Sequence, residues 1–250
     1  MPFKSSIPFF ILFISLSIQS FAKEYGEAGL LAVADEHPLL QYRENSKNKG
    51  PTIEILNSIL HSAQLSADIY FMPWARAFAK AKNTSNTLIL SIIRTPEREA
   101  DFYWLIKVSQ LVRVFISLDK KPKNYVVNIE EAKKKLVAVV RDSAEHKRLI
   151  LMGFSEKNNL YIVPSDEQMH SLFINGRVDL IYGDPNSVQK FLDINDNVKV
   201  GIRYKEIEHQ DKRTSYIALN KNSNKEIVIK LQQAANKFVQ TPEYLRLLAK

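Results

Sequence analysis

The stretch Leu88-Ile89-Leu90-Ser91-Ile92-Ile93-Arg94-Thr95-Pro96-Glu97-Arg98 restricts the fold more than any other part of the chain. An apolar run of this length, rich in Ile and Leu, suits a strand covered on both faces. Thr-Pro-Glu then reads as an N-cap, a proline at the first helical position and an acid in the first turn, so a helix start is expected directly after the strand. Open α/β sheets bind small ligands where strand ends meet helix starts. Free backbone N–H groups and the guanidinium of Arg98 suit a carboxylate there; a surface arginine after an ordinary turn is the plainer reading.

Strands and helices alternate through the rest of the chain. Strands are expected at 29–34, 67–71, 112–118, 136–140, 161–163, 178–182 and 214–219. Gly50-Pro51-Thr52 opens a helix with Ile53, Leu56, Ile59, Leu60 and Ala63 on one face. A short helix begins at Pro73-Trp74 and another covers 129–135. Asp142-Ser143-Ala144-Glu145 has the form of a capping box. The helix from Asp166 ends at Gly176, a left-handed cap, and Asp184-Pro185, Ser223-Asn224 and Thr241-Pro242 each start a further helix. There is no repeat of fixed period.

The N-terminus addresses the compartment. Lys4 precedes an apolar stretch from Ile7 to Ile18, and Ser20-Phe21-Ala22 offers a small-x-small cleavage site, the layout of a secretory signal peptide over 1–22. The apolar core is shorter than the roughly 20 residues that cross a bilayer. Export to the periplasm is therefore expected. The chain has no cysteine, so stability must come from a packed core rather than disulfides. The net charge of +8 comes from scattered lysines with no basic stripe interleaved with exposed aromatics, which points to a solvated surface and away from nucleic acid.

Three features then carry a resemblance: Pro73-Trp74-Ala75-Arg76-Ala77, Ile93-Arg94-Thr95-Pro96-Glu97-Arg98, and Val178-Asp179-Leu180-Ile181-Tyr182-Gly183-Asp184. Together they resemble the family 3 periplasmic solute-binding proteins, the polar amino-acid receptors of ABC transporters. The resemblance implies an α/β two-lobed periplasmic-binding-protein fold of type II, each lobe a mixed sheet flanked by helices, joined by two hinge strands. It implies a first lobe of 23–110 and 209–250 and a second lobe of 111–208, with the crossings in 112–118 and 214–219. It also implies a monomer that traps a small carboxylated solute by hinge closure and hands it to an ABC permease or a membrane sensor. No cofactor or metal and no catalytic residue is expected.

The resemblance assigns roles residue by residue. Arg98 falls where the family clamps the ligand carboxylate, and a planar fork of donors suits that group. Ser91 falls on a serine that helps hold the ligand; as a small strand residue bonded to backbone it needs no ligand. Ser143 matches a donor to the carboxylate in the closed trap and is equally a plain helix cap. Asp184 falls on the acid that pairs with the ligand ammonium, although Asp-Pro is also a routine helix opening. Trp74 matches an aromatic ring facing the ligand side chain; a core tryptophan is the alternative. Asp35, Glu36 and His37 occupy a loop that lines the pocket mouth in the family, and Glu36 is the member assigned to a cationic group. His37 reads as a loop residue rather than a metal ligand, since no second histidine stands at ligand spacing.

The chain departs from the family pattern at Ile93 and Ala144, which replace hydroxyl residues, and at 83–87, where a glycine and an acid are missing. Each change removes a polar partner, and losing a hydrogen bond to a charged group costs on the order of 1.5–3 kcal/mol. A different carboxylated or more apolar solute therefore fits as well as a standard polar amino acid. Two other functions share the fold: a sensor subunit, and an enzyme like cyclohexadienyl dehydratase, for which Glu36, His37 and Asp184 are the acid–base candidates. No nucleophile elbow, zinc motif or phosphate loop accompanies them.

Overall fold

The computed structural model describes residues 29–195, 200–205 and 213–248. The expected signal peptide lies outside the described residues. Two five-stranded mixed sheets form the frame. In chain order the elements of the first part are β1 (Leu30–Ala34), a short hairpin of β2 (Tyr42–Glu44) and β3 (Lys47–Lys49), α1 (Pro51–Ala63), β4 (Ala67–Phe71), α2 (Trp74–Asn83), β5 (Thr87–Ile93) and β6 (Phe102–Leu111). The second part holds β7 (Val114–Leu118), α3 (Ile129–Ala132), β8 (Val137–Val140), α4 (Ala144–Leu151), β9 (Leu160–Val163), α5 (Asp166–Ile174), β10 (Leu180–Gly183), α6 (Pro185–Asn195) and β11 (Ile202–Tyr204). The chain then returns through β12 (Arg213–Asn220), α7 (Lys225–Val239) and α8 (Pro242–Leu248).

The first sheet runs β4-β1-β5-β12-β6 and the second β11-β7-β10-β8-β9. Each joins a parallel trio, β4-β1-β5 or β10-β8-β9, to two antiparallel strands. The passage between sheets is short: β6 ends at Leu111 in the first and β7 begins at Val114 in the second. The return runs between Tyr204 and Arg213, partly outside the described residues, and the whole of 213–220 belongs to the first sheet.

Burial follows from the apolar pattern. Ile55, Leu56 and Ile59 of α1 are buried against the first sheet and α7; full burial of such side chains is worth about 1.5–3 kcal/mol each. In β5, Leu88 and Leu90 face that cluster while Ile89 and Ile92 face a second one. Ile89 and Ile92 are three residues apart, so the two-residue period of the strand is broken. The break falls at Ser91, whose φ of 54° is left-handed, opposite a register shift in β12. The cluster holding Ile89 and Ile92 continues through Trp74 and Phe102 into Val114, Ile116 and Val140 of the second sheet. One apolar layer therefore underlies the cleft from both sides.

The structure alters two expectations near Arg98. Thr-Pro-Glu starts only a single 3-10 turn, Pro96–Arg98, and Thr95 makes no side-chain cap. The long strand β6 follows at once, a segment whose Tyr, Trp and Val content suits a strand. No multi-turn helix therefore offers its N-terminus to an anion here. Likewise, Ser143 rather than Asp142 caps α4, by accepting from the His146 N–H at 3.0 Å.

Candidate functional site

A cavity lies between the sheets, lined from the first by Asp35, His37, Gln41, Trp74, Ser91, Ile93 and Arg98 and from the second by Ser143, Ala144, Glu145, Asp166, His170 and Asp184. Its free space of about 120 Å³, open to the centre of a water molecule, is on the order of ten times what one water needs. That is space for a small solute.

The first wall is built from the start of the chain. Gly50, at φ 108°, lets the loop before it press on α1: a Cβ there would strike the Leu40 carbonyl. That contact brings Gln41 and Thr52 to the bend in β5. The Ser91 hydroxyl donates to Gln41 Oε1 at 2.6 Å and lies 3.2 Å from Thr52 Oγ1, and Gln41 Nε2 donates to the Asp35 carbonyl at 3.2 Å. The strained backbone at Ser91 thus turns its hydroxyl into a buried network.

Arg98 is 2 % exposed. Its guanidinium donates to the Ile93 carbonyl at 3.0 Å and, across the cleft, to the Asp142 carbonyl at 3.3 Å. It lies over Phe78 and Trp74, 4.8 and 5.5 Å from the ring centroids. Its Nε has no partner, and among the described residues no carboxylate lies within ion-pair distance. Burial pulls its pKa below the usual arginine value. Trp74 also reaches across, donating from Nε1 to the same Asp142 carbonyl at 3.1 Å.

The second wall carries more charge. Ser143 caps α4 with its oxygen, which leaves the hydroxyl hydrogen available to an acceptor in the cavity. Glu145 does not reach back to close a capping box. It takes the Arg113 Nε at 2.5 Å from the passage between the sheets. Burial alone would raise the Glu145 pKa and lower that of Arg113; each group's attraction for the other outweighs this and reverses both shifts. Asp184 is buried, and its oxygens accept from the Val112 N–H at 3.2 Å and from the Ser187 N–H and hydroxyl at 3.0 and 3.1 Å. It ties α6 to the passage.

Asp35 and Asp166 are held differently. Among the described residues no other residue donates to either carboxylate, and the backbone N–H of Asp35 is the one donor that lowers the pKa of its own side chain. Burial, then the nearby Asp166 charge, raises the pKa of Asp35; burial, then Glu145, pushes Asp166 up to about 7 against the pull of Arg113. Burial and the Arg113 charge lower His37 to about 3, and burial lowers His170 to about 4, so both are neutral imidazoles at pH 7. His170 stacks on Phe191 at 4.2 Å, and its Nδ1 is buried with no partner.

Arg98, Ser91, Trp74, Ser143 and Asp184 thus line one cavity. Glu36 does not: it points outward, exposed, in an ion pair with Arg43 at 2.6 Å. The residues on either side of it, Asp35 and His37, face the cavity instead, as alternation along an extended segment requires. Sequence reasoning passed over Arg113, Glu145, Asp166 and His170. Asp166 carried a usable signal, an acid after Ser165 at the end of a parallel strand, in the same relation to β9 as Ser143 to β8. Among the described residues no cluster could hold a metal ion, and no helix is long and apolar enough to cross a membrane.

The chain matches no protein-family model and no curated protein. Solved structures do match it. An arginine-, lysine- and histidine-binding protein of Geobacillus stearothermophilus is 16% identical, with a TM-score of 0.75 over 88% of this chain and 93% of that one. A histidine kinase sensor domain with similarity to periplasmic binding proteins is 14% identical, with a TM-score of 0.74 over 88% and 94%. A periplasmic binding protein of high arginine specificity from Salmonella typhimurium is 15% identical, with a TM-score of 0.71 over 88% and 96%. With its paired mixed sheets and the cavity between them, the chain has the two-lobed periplasmic-binding-protein fold.

Proposed function

We propose that this chain is an extracytoplasmic solute-binding protein that captures a small carboxylated solute, an amino acid or a relative of one, by closure of its lobes, and delivers it to an ABC-type permease. The first lobe is 23–110 with 209–250, the second 111–208. One observation carries the reading: Arg98 is a buried guanidinium in the cleft wall that, among the described residues, makes no ion pair, the charges of Glu145 and Glu97 acting on it only from beyond that distance. A buried cation without a counter-ion is costly, and a bound carboxylate would neutralise it through charge-assisted bonds. Ser143, on the opposite wall, has a hydroxyl hydrogen to add on closure. A ligand favours the closed form only through contacts that are better there.

The protein binds rather than transforms its solute in this reading. Two of the acids in the cleft have a structural task, Glu145 paired with Arg113 and Asp184 held by three donors. The likeness to a kinase sensor domain gives a second reading, in which the closed form is read by a membrane receptor. Both readings require the same binding step. A thermal-shift screen against amino acids and organic acids tests it, because a ligand raises the melting point by mass action. A shift for one or more carboxylated solutes, lost in Arg98→Ala, is the expected outcome. An identical shift in that variant would remove Arg98 from the site, and conversion of the solute, followed by mass spectrometry, would replace binding with catalysis.

A further inference from the structure

Two buried hydroxyls in the cavity wall share a single hydrogen bond. β5, β12 and β6 lie side by side, and in the row where β5 ends Ile93 stands opposite Ser215, and Ser215 opposite Ser109. Paired residues on neighbouring strands point to the same face, and all three line the cavity. Ile93 brings no polar side chain to this row, but its carbonyl holds the Arg98 guanidinium at 3.0 Å. With strands about 4.8 Å apart, the hydroxyls of the row begin one strand away from that anchor. Ser215 and Ser109 are 4 % and 6 % exposed, and their oxygens lie 2.6 Å apart. Neither hydroxyl has another partner among the described residues.

Two hydroxyls carry two hydrogens, and the bond between them uses one. One hydrogen and several lone pairs are left at the cavity wall. A cross-strand serine pair supports a sheet with or without a ligand. This pair, however, is buried with a hydrogen to spare, and such a donor costs stability until an acceptor reaches it. A carboxylate would take the hydrogen and leave the lone pairs idle; an ammonium would do the opposite. A hydroxyl group donates and accepts, so it uses both. We propose that Ser109 and Ser215 form an uncharged recognition point that takes a hydroxyl group of the solute, close to the carboxylate that Arg98 holds. The position of the carboxylate rests on the function proposed above; the hydroxyl preference rests on the serine pair alone. Both serines belong to the first sheet, so this contact forms without help from the second.

The test is calorimetric titration of the protein with three pairs of acids whose members differ by one hydroxyl: L-lactate and propionate, L-malate and succinate, L-serine and L-alanine. In at least one pair the hydroxylated acid is expected to bind roughly two- to tenfold more tightly, the reach of one uncharged hydrogen bond. Replacing both serines, Ser109→Ala with Ser215→Ala, removes donor and acceptor together and leaves neither without its partner. The double variant should weaken the hydroxylated acid alone and bring the pair to within about twofold; Ser215→Ala by itself is the second variant should the double one fail to fold. Equal losses for both members with a lowered melting temperature would make the pair a support of the sheet only, and that overturns the proposal. So does equal affinity within every pair, or binding of none of the six acids. Binding that Arg98→Ala abolishes, with no gain from the hydroxyl, would sink the serine pair and leave the carboxylate role of Arg98 standing. A hydroxyl preference that survives Arg98→Ala would do the reverse.

Discussion

Arg113 and Arg98 are two guanidiniums in one cleft, and their surroundings differ. Arg113 sits where the chain passes between sheets, with Glu145 at 2.5 Å. Arg98 has two backbone carbonyls and two aromatic faces and, among the described residues, no ion-paired carboxylate. The acids repeat the contrast: Asp184 accepts three hydrogen bonds from its own lobe and the passage, while among the described residues no other residue donates to Asp35 or Asp166. A satisfied charge holds the frame in shape. A buried charge left unsatisfied costs stability, and that cost is recovered when a ligand supplies the missing partner. On the proposed function, the difference sorts the cleft into groups that hold the frame and groups that wait for a solute.

The largest expected effect tests the first class. Arg113→Met leaves Glu145, whose side chain is only 17 % exposed, without its partner and should destabilise the protein by about 3 kcal/mol, a fall in melting temperature on the order of 10 °C for a chain of this size. Adding Glu145→Gln should restore most of it. A single variant that melts like the parent would place Arg113 outside the frame. Arg98→Ala should do the reverse, with a smaller change in melting temperature and a loss of about two decades of affinity for a carboxylated solute, the equivalent of roughly 3 kcal/mol. If its melting temperature falls as far as that of Arg113→Met, the division between the two arginines collapses.

The apolar run of β5, the helix openings at Pro51, Pro73 and Pro185, and the alternation of strands and helices were all legible in the sequence, because burial and capping are local. The waiting residues were legible in part. Arg98, Ser91, Trp74 and Ser143 stand at strand ends or first turns, where sequence order alone brings them to the mouth of a sheet. Glu36 was chosen over Asp35 because a loop conceals which of two neighbours points inward; only the end of β1 fixes that parity. Asp166 and His170 line the cavity together with Asp35, more than a hundred positions away in the sequence, a placement that no local pattern encodes. The strand β6 was missed because the Thr-Pro-Glu signal argued for a helix, whereas tertiary pairing with β12 ends that helix after one turn.

Titration of the ligand-free protein sharpens the contrast within the acid end. The Asp166 pKa is raised to about 7, so the native state holds a proton that the unfolded state gives up near 4. Its contribution is therefore complete below pH 4 and is lost as pH rises towards 7. His170 is lowered to about 4, so its contribution is complete above pH 6.5 and is lost as pH falls towards 4. The two slopes oppose each other over the same interval. Asp166→Asn should gain on the parent as pH rises, ending more stable at pH 8 by a few kcal/mol at most. His170→Gln should gain on it as pH falls. Melting curves from pH 4 to 8 check both signs, and parallel curves for parent and variants would mean that neither group is desolvated in the cleft.

The smallest effect concerns how the lobes meet before any solute arrives. Trp74 Nε1 and Arg98 both donate to the carbonyl of Asp142, whose φ of 58° is left-handed for a residue with a side chain. These bonds cross the cleft without a ligand, so part of the closing energy is built into the chain. Trp74→Phe keeps an aromatic face near the guanidinium and removes the N–H, at a cost of about 0.5–1.5 kcal/mol. That is enough to shift an open–closed ratio by roughly two- to tenfold. Small-angle scattering should show a larger radius of gyration for the variant without ligand, and the parent value again once ligand saturates it. Matching curves for parent and variant at every ligand level would mean that the indole N–H does nothing for closure, and that Arg98 alone spans the gap.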